Sequence, residues 1–257
     1  LRWILTKLKK KNKIRLDDLL VNRKISKDLT QARRDIWAGR IKLLNSDYRV
    51  LVPHALVNVD TKIKFVLPKK FVSRGGYKLD NALEDFGIDV SGFSVLDVGA
   101  STGGFTDCVI QRDAKIVFSV DVGKGQLAWK LRNNPKIFPI EGLNARYKFS
   151  LPNYNLVDLI VIDVSFISAK LIIENCLKFL KTNGFVIVLI KPQFESEKSD
   201  IVDGGIIKDP LIHAKILGNF LSWTLSKNVT IVDLKKSKLL GSKGNQEYFL
   251  CLKKNKE

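Results

Sequence analysis

The chain has 257 residues, of which 45% are apolar and 27% charged, the balance of a globular protein and not of a disordered, collagenous or coiled-coil chain. Its formal charge is +18, and residues 1–75 hold 20 basic against 6 acidic side chains, net +14, which is the electrostatic footprint of a module that binds a polyanion. No window approaches 18 uninterrupted apolar residues, and the basic start lacks the apolar stretch and cleavage site of a leader peptide, so neither a membrane span nor export is expected.

Ile14 to Val21 predicts a short amphipathic helix with Leu16, Leu19 and Leu20 on one side. A second helix is expected over Leu29–Ala38, with Asp28 as N-cap and Gln31 completing a capping box. Leu29, Ala32 and Ile36 form its buried stripe, Arg33 and Arg34 face away, and Gly39 suits the left-handed position past its end. Arg40 to Leu44 and Thr61 to Val66 read as strands, with a turn at Asn45-Ser46-Asp47. These make a small α+β module over residues 1–66 with a basic N-terminal extension. Lys7 to Lys13 has no broad apolar face opposite its lysines, so the expected polyanion is nucleic acid and not a lipid surface. Residues 67–74, with Pro68-Lys69-Lys70, read as the linker to a second domain over 75–257.

That second domain alternates strands and helices. Helices are expected at Tyr77–Phe86, Phe105–Gln111, through Leu171–Leu180, and at Pro210–Leu225 behind the N-cap Asp209. Strands are expected at Ser94–Val98, Lys115–Val120, Lys136–Ile140, Val157–Ile162, Phe185–Ile190, Val229–Leu234 and Tyr248–Leu252. Apolar runs without alternation are strands buried on both faces, so the pattern predicts a doubly wound, Rossmann-like α/β sheet. Pro192 to Lys208, polar and holding Gly204-Gly205, is expected to be a mobile flap.

The run Asp97-Val98-Gly99-Ala100-Ser101-Thr102-Gly103-Gly104-Phe105 is a strand end, a glycine-rich turn and a helix start. Glycines there permit positive φ and close approach of backbone to a ligand. Asp121 ends the next strand, where a carboxylate accepts from both hydroxyls of a ribose. The loop is neither the dinucleotide GxGxxG nor a phosphate loop; its DxGxxxGG form with an acidic second strand end is the signature of an S-adenosylmethionine methyltransferase. Gly99, Ala100, Ser101 and Phe105 are the expected loop contacts, Gly103 and Gly104 line the methionine end, and Asn144 stands on the adenine side or merely in a turn.

The acceptor chemistry is read partly by exclusion. Asp163-Val164-Ser165-Phe166 is not the Asn/Asp-Pro-Pro-aromatic of base-amine methylation. Cys108, Cys176 and Cys251 sit in expected helices or a terminal strand, not where a nucleophile for carbon methylation would stand. Their spacing is that of free thiols in a reducing cytoplasm, with no metal site. The strand ends do offer Lys78, Asp163, Lys191 and Glu247, and Asp163 and Lys191 should meet at the carboxyl edge of the sheet. A ribose 2′-hydroxyl needs alignment and removal of its proton, which a lysine with lowered pKa performs. Two salt bridges in a cleft are the plainer alternative.

Five motifs now carry a resemblance: Ser73-Arg74-Gly75-Gly76-Tyr77-Lys78-Leu79, Asp97 to Asp107, Asp163-Val164-Ser165-Phe166-Ile167-Ser168, Lys191-Pro192-Gln193-Phe194-Glu195 and Gly244-Asn245-Gln246-Glu247-Tyr248-Phe249. The chain resembles the TlyA family of ribosomal RNA 2′-O-methyltransferases, related to the FtsJ/RrmJ group. The resemblance implies that residues from about 14 to 66 form an RNA-binding domain of the type found in ribosomal protein S-four. It implies that Lys78, Asp163, Lys191 and Glu247 are a catalytic tetrad and that Phe166 shapes the cofactor pocket. It implies S-adenosylmethionine as cofactor and a cytidine ribose in small- and often large-subunit rRNA as acceptor; a monomeric, cytoplasmic protein without metal is the separate expectation. Arg15, Arg23, Lys24, Arg33, Arg34, Arg40 and Arg74 are the expected RNA contacts. Two positions depart from the family pattern: Asp28-Leu29 where Ser-Arg is usual, and Lys243 where a small Ser is. The rival class is an RNA-binding protein with an inactive methyltransferase fold, which would not need the tetrad or the loop. A haemolytic activity would need apolar spans that the sequence lacks.

Overall fold

The computed structural model describes residues 13–44, 51–66, 69–152, 156–196 and 205–256. The chain divides into two compact units, Leu1–Lys70 and Phe71–Glu257. In the first, the strand Lys13–Arg15 (β1) runs into helix Leu16–Asn22 (α1), followed by helix Leu29–Trp37 (α2) and strands Ile41–Leu43 (β2), Leu56–Asn58 (β3) and Ile63–Phe65 (β4). β1 pairs antiparallel with β3 and β2 with β4. Leu16, Leu19, Leu20, Ala32, Ile36, Ile41 and Val57 form the core.

Several expectations change here. Ile14 belongs to a strand, because Ile14 pairs with Val57 in β3, a strand the sequence reading passed over. Asp28 does cap α2, accepting from Gln31 N–H at 2.8 Å. The reciprocal half of the capping box does not form, because the Gln31 amide donates to the Asp35 carboxylate at 3.0 Å. Leu29, at the first helical position, is 39% exposed and lies outside the stripe. The turn at Asn45-Ser46-Asp47, Pro68 of the connector, the start of the basic extension and the middle of the flap fall outside the described residues.

The second unit comprises helix Arg74–Phe86 (α3), strand Ser94–Val98 (β5), helix Gly104–Gln111 (α4), strand Ile116–Asp121 (β6), helix Trp129–Arg132 (α5) and strands Ile137–Glu141 (β7) and Val157–Ile162 (β8). Then come helix Ala169–Cys176 (α6), strand Leu180–Ile190 (β9), helices Pro192–Glu195 (α7) and Pro210–Leu225 (α8), and strands Val229–Lys236 (β10) and Tyr248–Lys254 (β11). Among the described residues these strands form a seven-stranded sheet in the order β10-β11-β9-β8-β5-β6-β7. Neighbours from β9 to β7 are parallel, and β11 is antiparallel to both β9 and β10. Successive side chains enter opposite layers: Leu96, Ile160 and Val188 on one face, Val95, Val161 and Ile187 on the other. Both faces are buried, which explains the unbroken apolar runs.

The helix expected through Leu180 stops at Cys176, followed by one tight turn over Leu177–Phe179. Leu180 already pairs with Val157, so β9 starts five residues earlier than expected and accommodates Asn183 at φ +63°. The short helices α5 and α7 were not expected. Among the described residues no helix is long and apolar enough to cross a membrane, and no group of three or more His, Cys, Asp or Glu could hold a metal ion.

Candidate active site

The parallel strands β5, β6, β8 and β9 all deliver their carboxyl ends to one edge, and the chemistry-bearing residues follow those ends. Gly99, just past β5, has φ +86°, and a Cβ there would stand 2.5 Å from the Asp163 carbonyl oxygen. Only glycine lets the β5 and β8 exits approach so closely. Gly103 turns its open side to Leu127 and Leu131, and Gly104 to Ser73. Both therefore close the loop against its own helices, although Gly104, with Phe105, also borders a cleft.

Asp97 is fully buried beneath the loop. Its Oδ2 accepts from Thr106 Oγ1 at 2.6 Å, Thr106 lies 2.7 Å from Ser119 Oγ, and its Oδ1 has no partner. Burial pushes this carboxyl up to about 7. Asp121, at the end of β6, accepts from Ser101 N–H and Gly123 N–H, both at 2.7 Å. Asn144 accepts from Arg146 N–H at 3.0 Å in a turn and also faces the cavity. Gly99, Ser101, Asp121, Asn144, Asp163 and Phe166 line a cavity of about 360 Å³.

A second cleft, about 400 Å³, lies between Ser73-Arg74-Gly75 and the loop residues Gly99 to Thr102, with Asp163 and Lys191 in its wall. A third, about 390 Å³, is bounded by Phe166, Lys191, Gln193, Phe194, Asn245 and Glu247. Asp163 borders the first two, Lys191 the last two and Ser165 all three. Lys191 Nζ lies 2.7 Å from Asp163 Oδ1 and donates to Ser165 Oγ at 2.8 Å. Their side chains are 11% and 23% exposed for lysine and aspartate, so the pair is sheltered yet reachable.

Lys78, which the resemblance places in one tetrad with Asp163 and Lys191, stands outside their ion pair. It donates to the Glu247 carboxylate, and both are buried. The reason is packing: its neighbour Leu79 shares a core with Phe249 of β11, so α3 carries Lys78 onto the residue that precedes β11. The four charged residues thus form two ion pairs, Lys78 with Glu247 and Lys191 with Asp163. Arg74 donates to the Leu240 carbonyl. Phe166 is 91% exposed at φ +65°, its ring 5.1 Å from that of Phe194. Glu195 accepts from Ser168 Oγ and Ala169 N–H, both at 2.6 Å, and burial pushes its carboxyl up. Ser165, Phe194 and Glu195 stood inside motifs with no role assigned; their clustering was visible only as repeated polar and aromatic positions just past two strand ends.

In the first unit, the expected RNA contacts divide by what already holds them. Arg15 and Arg33 pair with the buried Asp17 at 2.8 and 3.1 Å, and the Arg15 hydrogen bond holds the Asp17 carboxyl down to about 2. Arg40 pairs with buried Asp35 at 3.0 Å, and Arg23 donates to the Val59 and Thr61 carbonyls. Lys24, at φ +56°, and Arg34 are exposed. Counting all six as free phosphate contacts overlooked the two buried carboxylates, which sequence charge does not reveal.

Residues 71–254 match the family described as FtsJ-like methyltransferase. Hemolysin A of Brachyspira hyodysenteriae is 39% identical over 236 residues, 91% of this chain and 98% of that protein. The 16S/23S rRNA (cytidine-2′-O)-methyltransferase TlyA of Mycobacterium tuberculosis strain H37Rv is 37% identical over 241 residues, 93% of this chain and 89% of that protein. Among solved structures, a hemolysin-named protein of Streptococcus thermophilus superposes with a TM-score of 0.71 at 35% identity, covering 96% of this chain and 90% of that one.

Proposed function

From the premise that the chain belongs to the FtsJ-like methyltransferases, we propose that it methylates the ribose 2′-hydroxyl of a cytidine in ribosomal RNA, using S-adenosylmethionine. The observation that carries this reading is the Lys191–Asp163 pair at the junction of three cavities, directly beside the glycine loop. The substrate class comes from relatives of this length named as rRNA cytidine-2′-O-methyltransferases.

The residues present fit the cofactor. A glycine at φ +86° opens the cradle, and the cavity of about 360 Å³ ends at an acidic strand terminus. Asp121 would hold the ribose, Gly99, Ala100 and Ser101 the loop side, Asn144 the adenine side, and Phe166 would wall the pocket. When bound, the cofactor supplies an electrophilic methyl group on a sulfonium. Lys191 would orient the acceptor hydroxyl, and the Lys191–Asp163 pair would take up its proton as the methyl passes from sulfur to oxygen, the broken carbon–sulfur bond leaving a neutral thioether. Ser165 and Asp163 fix Nζ from two sides, so the hydroxyl meets an oriented partner. Lys78 and Glu247 neutralise each other where two elements far apart in sequence meet. The exposed Lys24 and Arg34 supply phosphate contacts that position the RNA, and Arg15, Arg23, Arg33, Arg40 and Arg74, already engaged with groups of the fold, add positive charge.

Calorimetric titration with S-adenosylmethionine, followed by transfer of labelled methyl to unmodified ribosomal subunits, tests the reading. Nuclease mapping should place the label on a cytidine ribose. Cofactor binding without transfer, or label on a base, would overturn it.

A further inference from the structure

Lys191 works only if it stays beside Asp163, yet the two leave the sheet on separate strands. The parallel pairing of β8 with β9 reaches Ile162 and Val188. Beyond that point side chains alone join segment 163–169 to segment 191–195. Lys191 reaches Asp163 and Ser165, the Phe194 ring packs at a tilt against that of Phe166, and Glu195 takes hydrogen bonds from Ser168 Oγ and Ala169 N–H. Every residue in the first two ties borders a cavity and is open to rearrangement by ligand. None of Glu195, Ser168 and Ala169 lines any of the three.

We propose that Glu195 is a positioning residue for methyl transfer: by gripping the start of α6 it fixes α7, and with it Lys191 and Phe194, against the Asp163–Phe166 segment. This rests on the role given above to Lys191. Helix α7 has four residues, one turn, which is too short to hold itself. Glu195 is its last residue and Lys191 immediately precedes its first, so a tether at one end and an ion pair at the other fix its axis. The chemistry of the tether suits the load. A carboxylate receives a backbone N–H and a hydroxyl at the N-terminus of an eight-residue helix, where negative charge is favoured. Burying that carboxylate is costly unless both donors are present.

The test uses the full chain and four forms: Glu195→Ala, Glu195→Gln, Ser168→Ala, and the double Glu195→Ala/Ser168→Ala. Single-turnover methyl transfer to ribosomal subunits should fall ten- to a hundred-fold in Glu195→Ala, the cost of about 1 Å of misplacement, with cofactor Kd within threefold of wild type. Glu195→Gln keeps an acceptor for Ala169 N–H and a partner for Ser168, and should recover at least a third of the wild-type rate. The double variant should be no slower than Glu195→Ala, because both changes remove one tie. A readout independent of catalysis is the Lys191 ε-methylene NMR signal, assigned with Lys191→Arg, which should move in Glu195→Ala and return in Glu195→Gln. An unmoved signal, multiplicative single effects, or a Gln form as slow as the Ala form would each overturn the proposal. A wild type that transfers no methyl while the Lys191 signal still follows Glu195 would overturn the methylation reading and leave the tether standing.

Discussion

Replacing Gly99 by alanine places a methyl group where the fold has no room. The added Cβ would stand 2.5 Å from the Asp163 carbonyl oxygen, 2.9 Å from its carbon and 3.2 Å from Val164 Cγ1. Ordinary contact begins near 3.5 Å, so the β8 exit has to retreat by about 1 Å. The backbone adds its own cost, since φ +86° is outside what alanine adopts readily, and roughly 1–3 kcal/mol is expected from that strain. The retreat acts on Asp163 itself, and stretching its 2.7 Å approach to Lys191 by that amount breaks the pair's geometry. Gly99→Ala should therefore lose about 2–4 kcal/mol in urea unfolding. It should also lose on the order of 10²-fold in single-turnover methyl transfer. Gly87→Ala is the control: Gly87 has φ +65° and nothing within 4 Å of its Cβ position, so it pays the backbone cost alone and should keep full rate. Equal rates for both variants would refute the steric argument, whatever their stabilities.

Further outcomes follow from the same geometry. Lys191→Arg should abolish methyl transfer while cofactor Kd, read by calorimetry, stays near wild type, because guanidinium remains protonated and differs in shape. Asp121→Ala should weaken cofactor binding by about 1.5–3 kcal/mol in the same titration, the scale of a charge-assisted hydrogen bond. Asp97, raised to about 7 by burial, stays protonated in the fold while the unfolded chain ionises near 4. Its contribution is therefore intact at acid pH and is lost as pH rises through 7. Asp97→Asn should gain stability relative to wild type between pH 5 and pH 8, by up to about 4 kcal/mol in denaturant melts of cofactor-free protein. Arg34→Ala should lower the salt slope of rRNA binding by about 0.7–0.9 without changing Tm. Arg40→Ala should lower Tm as well, because it strips the cation from buried Asp35.

Much of the α/β layer was legible because its signal is local. Val157–Ile162 and the Asp209-Pro210 helix start appear where the pattern put them, since five apolar residues broken only by Asp158 and an N-cap followed by proline admit few alternatives. The failures have one physical origin, that a partner far away in sequence decides. The segment Ile172–Leu180, apolar except for Glu174, Asn175 and Lys178, fits helix or strand, and only the pairing of Leu180 with Val157 settles where the strand begins. Leu56–Asn58 is too short to announce itself and is a strand only because β1 lies beside it. At the candidate site, Asp163 and Lys191 were readable as neighbours because parallel strand ends converge. Lys78 with Glu247 was not, because an ion pair between residues 169 positions apart depends on how α3 packs. The protonation of Asp97 was invisible too, because burial and not residue type sets it.

The reversed direction of β11 has a consequence for biosynthesis. Running against β9, it presents its first residue, Tyr248, opposite Ile190, so Glu247 arrives at the edge where every parallel strand ends. A strand running the other way would have left that carboxylate at the far edge. β11 is also the last strand of the sheet to be translated, and it must insert between two strands already made. Until it does, Lys78 has no counter-charge. Strands β5 to β9 can assemble the glycine loop and bring Lys191 to Asp163, yet the second ion pair waits for β11.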